Sequence, residues 1–106
     1  MKRGDIYWVD LNPTTGSELN KQRPCVLVRA TLINQARRTV VVIPLSTSAK
    51  ARPPITILVP CLGKQVVAVC DQIRTVDKTR VKKMAGVLSE KDLGTLDDGL
   101  RQILCL

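Results

Sequence analysis

The 106-residue sequence contains no histidine. Within one chain, this absence excludes a Ser-His-Asp triad, a nuclease with paired histidines and a histidine-ligated zinc hydrolase. The chain has four cysteines, Cys25, Cys61, Cys70 and Cys105, but no C-x-x-C pair. We therefore expect no metal site built from soft ligands. Because the cysteines lie in apolar runs, we expect free thiols that act as small core residues.

Acidic residues and phosphate-binding motifs are also scarce. Only five Asp and Glu residues precede residue 89, and they form no obvious cluster that would hold magnesium. The sequence has neither a Walker loop nor a G-x-G-x-x-G segment. We therefore expect no metal and no cofactor.

Long apolar runs are missing as well. The run at residues 40–45 is far too short to span a bilayer, and the N-terminus has no continuous apolar stretch typical of a secretory signal. We expect a soluble cytoplasmic protein without a membrane partner. The length is near that of one domain, so residues 1–106 are predicted to form a single domain.

Basic residues are in excess. The chain has 17 Lys and Arg against 9 Asp and Glu, a net charge of +8. Residues 1–88 carry 15 basic and 5 acidic residues, whereas residues 89–106 carry 2 and 4. The positive charge thus belongs to the body of the chain. It favours a polyanion such as nucleic acid or an acidic protein as the partner, although many basic domains are merely soluble.

Short β-branched and aromatic runs predict five strands, at residues 6–11, 25–28, 39–45, 55–59 and 66–70. Because proline donates no amide hydrogen, we expect Pro24 to begin the second strand and Pro44 to end the third. Residues 62–65 are predicted to turn the chain between the last two strands. No β-α-β alternation is visible, which favours a curled antiparallel barrel over a doubly wound fold.

Two helices are predicted. Thr31 is expected to cap a short helical turn ending near Arg37, and Ser89 opens a capping box before a C-terminal amphipathic helix. The apolar stripe of this helix consists of Leu93, Leu96, Leu100, Ile103 and Leu104. Such a stripe more often packs on the core than binds a partner. The fold class is therefore mostly β (α+β), a small barrel with a C-terminal helix.

Polar residues beside the strands are candidates for function, because loops on rigid strands suit binding and catalysis. They are Glu18, Arg23, Ser46, Thr47, Ser48, Asp71, Gln72, Arg74 and Asp77. The same residues are also suited to solvating strand edges and satisfying turn amides. Residue chemistry alone leaves both interpretations open.

Four segments occur in a characteristic order: RGDIYWVDLNPTTGSE at residues 3–18, RPCVLV at 23–28, VIPLST at 42–47 and CDQIRTVDK at 70–78. Together they span most of the chain and resemble the MazF/PemK toxins. The resemblance implies an SH3-like barrel, a homodimer, and an unstable acidic antitoxin as partner. It also implies cleavage of single-stranded RNA, often at short specific sequences.

The resemblance also implies roles for single residues. The expected catalytic residues are Arg23, Ser46, Thr47, Glu18 and Asp71, and the expected RNA-binding residues are Asn12, Thr14, Lys21, Ser48, Lys50, Gln72 and Arg74. The family more usually has threonine where Ser46 stands, so Ser46 and Thr47 are both candidates for the catalytic hydroxyl. One branch has histidine at Ser17 and arginine at Val69, and its acid and base assignments do not transfer.

The implied reaction needs no metal and no enzyme nucleophile. A base takes the proton of the RNA 2′-hydroxyl, which displaces the 5′-oxygen and leaves a 2′,3′-cyclic phosphate. Arg23 matches the phosphate oxygens with its planar fork and stays charged, so its expected role is electrostatic. Glu18 and Asp71 both remain candidates for the base.

Two other functions are compatible with a basic barrel. A gyrase-poisoning toxin of the CcdB type would bind a protein and cleave nothing, but the Arg-Pro step and the Asp-Gln-x-Arg segment disfavour it. A plain nucleic-acid-binding barrel would use exposed aromatic side chains as stacking platforms. Only Tyr7 and Trp8 are available, and strand alternation predicts that one of them faces inward.

Overall fold

A computed structural model describes residues 1–13, 16, 18 and 21–106. Thr14, one of the expected RNA-binding residues, lies outside the described residues. The elements in chain order are β1 (Asp5–Asp10), β2 (Gln22–Leu27), α1 (Thr31–Ala36), β3 (Thr39–Ser46), β4 (Thr56–Leu58), β5 (Val67–Val69), a 3-10 helix (Cys70–Gln72), β6 (Arg74–Asp77), a second 3-10 helix (Lys78–Arg80), β7 (Val81–Val87) and α2 (Glu90–Leu104).

The strands form one antiparallel sheet in the order β4-β5-β3-β2-β1-β7, and β6 also pairs with β3. β3 changes partner along its length: residues 39–42 pair with β6, whereas Leu45 and Ser46 pair with β5. The sheet is curled like a small barrel. It is open, since β6 and β7 share no cross-strand pair within the described part of the chain. The predicted mostly β fold with a C-terminal helix is confirmed.

Both faces of the sheet are buried. Successive residues of a strand point to opposite faces, so their side chains enter two different clusters. The side chains on one face of the sheet form a cluster that includes Val9, Cys25 and Val42. The side chains on the other face, including Ile6 and Ile43, form a second cluster with the β4–β5 hairpin, and α2 packs against this second cluster. The start of β2 and the end of β3 therefore belong to a sheet that is packed on both faces.

Both prolines lie inside strands, so their predicted positions at strand ends are wrong. Pro24 is the third residue of β2, and Pro44 is the sixth of β3. Pairing of β2 with β3 begins only at Cys25, so nothing on that side pairs with Pro24. Pro44 lies where β3 changes from β6 to β5. Each proline thus occupies a gap in the hydrogen-bond ladder, where a missing amide hydrogen is tolerated.

β6 and β7 were not predicted, whereas all five predicted strands are present with shifted ends. The short helix α1 is also present, but Thr31 does not cap it, because Ala30 occupies that position. The Thr31 hydroxyl instead accepts a hydrogen bond from the Arg3 amide at 2.9 Å. It thereby links the N-terminus to α1.

The C-terminal helix α2 begins as predicted, with Ser89 Oγ accepting the Asp92 amide hydrogen at 3.1 Å. Leu96 is fully buried, and Leu93, Leu100 and Ile103 pack against the core as expected for the stripe. The expectation is wrong for Leu104, which is exposed at the end of the helix. Gly99 lies against β4: a Cβ there would stand 2.1 Å from Ile57 Cδ1. None of the helices in the described ranges is long and apolar enough to span a membrane.

All four cysteines are free thiols, and they differ in burial. Cys25 and Cys70 are buried core residues as expected, and burial raises their pKa values to about 12 and about 11. Cys61 is half-buried. The expectation is wrong for Cys105, which is exposed because it follows the last turn of α2 in a left-handed conformation.

Candidate active site

A pocket of about 260 Å³ opens where β2 begins and β3 ends. Arg23, Ser46 and Thr47, three of the expected catalytic residues, line it together. The strand register explains why: Cys25 pairs with Pro44, and the same register continued outward places Arg23 beside Ser46. Arg23 and Ser46 therefore meet beyond the last pair between β2 and β3. Each is still held on its other side, because Arg23 pairs with Val9 of β1 and Ser46 pairs with Val67 of β5.

The two candidate hydroxyls at this pocket have different surroundings. The Ser46 side chain is almost fully buried, and its Oγ accepts the amide hydrogens of Ser48 and Ala49, both at 3.2 Å. Thr47 is exposed on the pocket. Ser46 thus orders the turn after β3, while Thr47 presents a hydroxyl to solvent.

Arg23 and Arg74 both lie near the thiol of Cys25. Burial is the main cause of the raised pKa of Cys25, and the charges of Arg74 and Arg23 oppose it. Both guanidinium groups therefore act on the same point of the sheet. Arg74 donates from Nη1 to the carbonyl oxygen of Leu11 at 3.3 Å, which ties β6 to the end of β1. Arg74 has a structural contact here.

The two candidate bases lie elsewhere. Neither Glu18 nor Asp71 is among the described residues that line the pocket. Val67 pairs with Ser46, and from Val67 the chain runs along β5 away from the pocket before it reaches Asp71. Glu18 is exposed in the connection between β1 and β2. The catalytic role of each acid stays a prediction.

The expected RNA-binding residues are spread over three regions. Asn12 and Lys21 lie together, because the Lys21 amide donates to Asn12 Oδ1 at 3.2 Å. Ser48 and Lys50 are exposed in the segment that follows β3. Gln72 and Arg74 are half-buried near β6, outside the pocket. Arg80 donates a hydrogen bond to the carbonyl oxygen of Asn12. The RNA-binding role of each expected residue stays a prediction.

Comparison with known proteins identifies the family. The family model described as "PemK-like, MazF-like toxin of type II toxin-antitoxin system" matches residues 2–104. The chain belongs to the MazF/PemK toxin family. It is 34% identical to endoribonuclease MazF9 of Mycobacterium tuberculosis, over 95% of this chain and 93% of the relative. It is also 34% identical to endoribonuclease MazF of Staphylococcus epidermidis, over 94% and 88%.

Solved structures share the fold of this MazF/PemK chain. A crystal structure of MazF from Deinococcus radiodurans has a TM-score of 0.88 and 21% identity, with 100% of this chain and 97% of that chain covered. An endoribonuclease in complex with its cognate antitoxin, from a mycobacterial species, has a TM-score of 0.83 and 20% identity, covering 100% and 96%.

Sequence reasoning missed part of the pocket wall in this MazF/PemK chain. Trp8, Gln22, Leu62 and Lys64 also line the pocket. Tyr7 packs against the inner cluster while Trp8 is 40% exposed, so the prediction that one aromatic residue faces inward is confirmed. Strand alternation thus predicted that one of the two aromatic residues would be exposed but not which one, and no local pattern indicated that Leu62 and Lys64 would join it.

Proposed function

We propose that this MazF/PemK chain is a toxin endoribonuclease that cleaves single-stranded RNA at short specific sequences, and that it cuts in the pocket at the ends of β2 and β3. The observation that carries the proposal is the side-by-side placement of Arg23, Ser46 and Thr47 on one open pocket. A fixed positive charge beside hydroxyl donors suits a phosphate whose negative charge grows during the reaction.

The proposed reaction is attack by the RNA itself. The 2′-hydroxyl loses its proton to a base, and its oxygen bonds to phosphorus. The bond between phosphorus and the 5′-oxygen breaks, and the 5′-oxygen takes a proton from water. Arg23 stabilises the charge on the phosphorane oxygens. Thr47 donates a hydrogen bond to the same phosphate, and Ser46 holds the turn that presents Thr47, since the Ser46 oxygen already accepts two amide hydrogens.

We assign the base to Glu18 rather than Asp71. Glu18 lies in the connection that leads into Arg23 and the pocket, whereas Asp71 lies beyond β5 in the first 3-10 helix. A base must come within hydrogen-bond reach of the proton it removes. Glu18 precedes Arg23 by five residues in the chain, so of the two acids it is the one that we propose meets this requirement.

The partners follow from the charge of the chain. An acidic antitoxin segment is proposed to fold over the Glu18–Arg23 connection and block RNA, because the body of the toxin is basic. We further propose a homodimer of single-domain chains, residues 1–106, acting in the cytoplasm where the RNA substrate is. The family match is to MazF/PemK toxins and gives the CcdB-type alternative no support.

The first test is cleavage of a mixed single-stranded RNA in EDTA, followed by mapping of the product ends. We expect cleavage to persist, with 2′,3′-cyclic phosphate and 5′-hydroxyl ends, because the mechanism uses no metal. Activity that is lost in EDTA and restored by magnesium would contradict the metal-free mechanism. RNA left intact with and without EDTA would contradict the endoribonuclease function itself.

A further inference from the structure

The pocket has a second wall, formed by the hairpin of β4 and β5. Leu62 and Lys64 in the hairpin turn line the pocket together with Trp8 and Pro24 of the sheet. The turn rests on β7, because a Cβ built on Gly86 would stand only 2.8 Å from Leu62 Cδ2. The pocket is therefore a slot between the hairpin turn and the sheet, and not an open surface.

Trp8 forms the aromatic wall of this slot. In β1 it pairs with Pro24 of β2, but the register with β7 passes from Tyr7 to Val9 and skips it. Irregularities of this kind are frequent beside active sites, where they redirect side chains. Trp8 is 40% exposed although it lies within a sheet. An indole ring in a polar pocket offers a flat surface on which a nucleobase can stack.

The size and polar groups of the slot restrict its occupant. Its volume of about 260 Å³ is just below the ~300 Å³ at which pockets for drug-sized ligands begin, so it suits one base with its phosphate. Gln22 and Lys64 line the same slot. Neither side chain makes a hydrogen bond within the part of the chain that the structure describes. Both are available to the edge of a base.

We infer that this slot holds one nucleobase next to the scissile phosphate, stacked on Trp8 and recognised at its edge by Gln22 and Lys64. The inference rests on the proposed function, because Arg23 and Thr47 hold the phosphate at the mouth of the same pocket. The Lys64 ammonium only donates hydrogen bonds. The slot therefore prefers guanine or uracil, whose edges carry carbonyl acceptors, over adenine, whose exocyclic amine is a donor.

The test begins with mapping the cut sequence on mixed RNA and then placing an abasic nucleotide at each position beside the cut. We expect one abasic position to lower kcat/KM of the wild-type chain about tenfold, because stacking on the indole is lost. Trp8→Ala should lower kcat/KM of the intact substrate by a similar factor. The two losses combined should not multiply, because they remove the same contact.

Two matched variants control this measurement. Trp8→Phe keeps an aromatic face and should retain most of the activity. Leu32→Ala removes an apolar residue of α1 that is 78% exposed and outside the pocket, and should cleave like the wild type.

Lys64→Met tests the base preference. It should lower the preference for guanine or uracil at the stacked position about tenfold, while cleavage beside other bases is kept.

A binding measurement needs no cleavage. Trp8 is the only tryptophan of the chain, so its fluorescence reports on the slot alone. A 2′-O-methyl oligouridine, which carries one of the preferred bases, should quench this fluorescence at saturation, and an abasic oligomer of the same length should not. These experiments use the wild-type chain, so a Trp8 variant that fails to fold does not remove the test.

The outcomes separate the slot from the proposed function. Wild-type cleavage that is unaffected by every abasic position, together with unchanged fluorescence, would overturn the nucleobase slot and leave the endoribonuclease standing. A chain that cleaves no RNA but shows quenching lost on abasic substitution would retain the slot as a binding site and reject the endoribonuclease.

Discussion

Arg23 is half-buried in β2, just outside the cross-strand pairs that join β2 to β3. It belongs to neither hydrophobic cluster. We therefore expect Arg23→Ala to keep the melting temperature close to that of the wild type. Its cleavage rate should fall about a hundredfold or more, equivalent to about 3 kcal/mol of transition-state stabilisation. RNA affinity should fall much less.

Arg23→Lys is the matched control for this residue. It keeps the charge but cannot reproduce the planar fork that bonds two phosphate oxygens at once, so we expect partial rescue. Melting temperature, RNA affinity and cleavage rate are measured for both variants. A well-folded alanine variant with near-normal cleavage would show that Arg23 serves the structure and not the reaction.

At the scale of single residues, the sequence identified the members of the site better than their surroundings. Strand ends and polar loops gave nine candidate residues, and the resemblance to the MazF/PemK toxins implied catalytic roles for Arg23, Ser46 and Thr47 among them. The turn that occupies the Ser46 oxygen was not predictable, because it depends on amides presented by Ser48 and Ala49 in one particular backbone path. Side-chain contacts of this kind follow from tertiary geometry.

At the scale of elements, the packing of α2 against β4 depends on Gly99. Gly99→Ala would place a Cβ 2.1 Å from Ile57 Cδ1 and force the helix away from the strand. Although alanine favours helix by up to about 1 kcal/mol, we expect the free energy of unfolding to fall by about 1–3 kcal/mol, because overpacking outweighs propensity. Urea unfolding monitored by circular dichroism measures this change.

The same helix provides the control. Gly94 is exposed, and a Cβ there would have nothing within 4 Å. Gly94→Ala should therefore raise the free energy of unfolding by up to about 1 kcal/mol through helix propensity alone. If both variants were stabilised equally, the close approach of α2 to Ile57 would be refuted.

The elements missed from the sequence share a physical cause. β7 is mostly exposed or half-buried and contains Lys82, Lys83 and Gly86, so its residues lack the alternation that marks a half-buried strand. β6 is only four residues long, and only Val76 within it is buried. Both strands are held by pairing with β1 and β3, which is a property of the whole sheet.

At the scale of the whole molecule, the net charge of +8 predicts salt-dependent RNA binding. If about three phosphates are neutralised, RNA affinity should fall roughly twentyfold between 50 and 200 mM salt, because the release of counterions on binding is less favourable at high salt. Affinity for a non-cleavable RNA is measured across this range, and the slope is that of the logarithm of the affinity against the logarithm of the salt concentration. An affinity independent of salt would count against a phosphate-tracking surface.

Two charge variants refine the measurement. Lys21→Gln removes one of the expected RNA contacts and should reduce the slope by about 0.7, the value for one phosphate on a single strand. Arg101→Gln changes the net charge equally, but Arg101 lies in α2 and pairs with Asp98. The slope should stay at the wild-type value in this variant.

In the part of the chain that the structure describes, the β4–β5 hairpin forms cross-strand pairs with the rest of the sheet at Leu45 and Ser46 of β3. Its inward residues Ile57 and Val66 are core, whereas its turn, residues 60–65, is exposed or half-buried. Natural selection can therefore exchange residues in the turn at little cost to folding. Changes in this one short segment can therefore alter the RNA sequence that related toxins cut, while the residues that act on the phosphate stay the same.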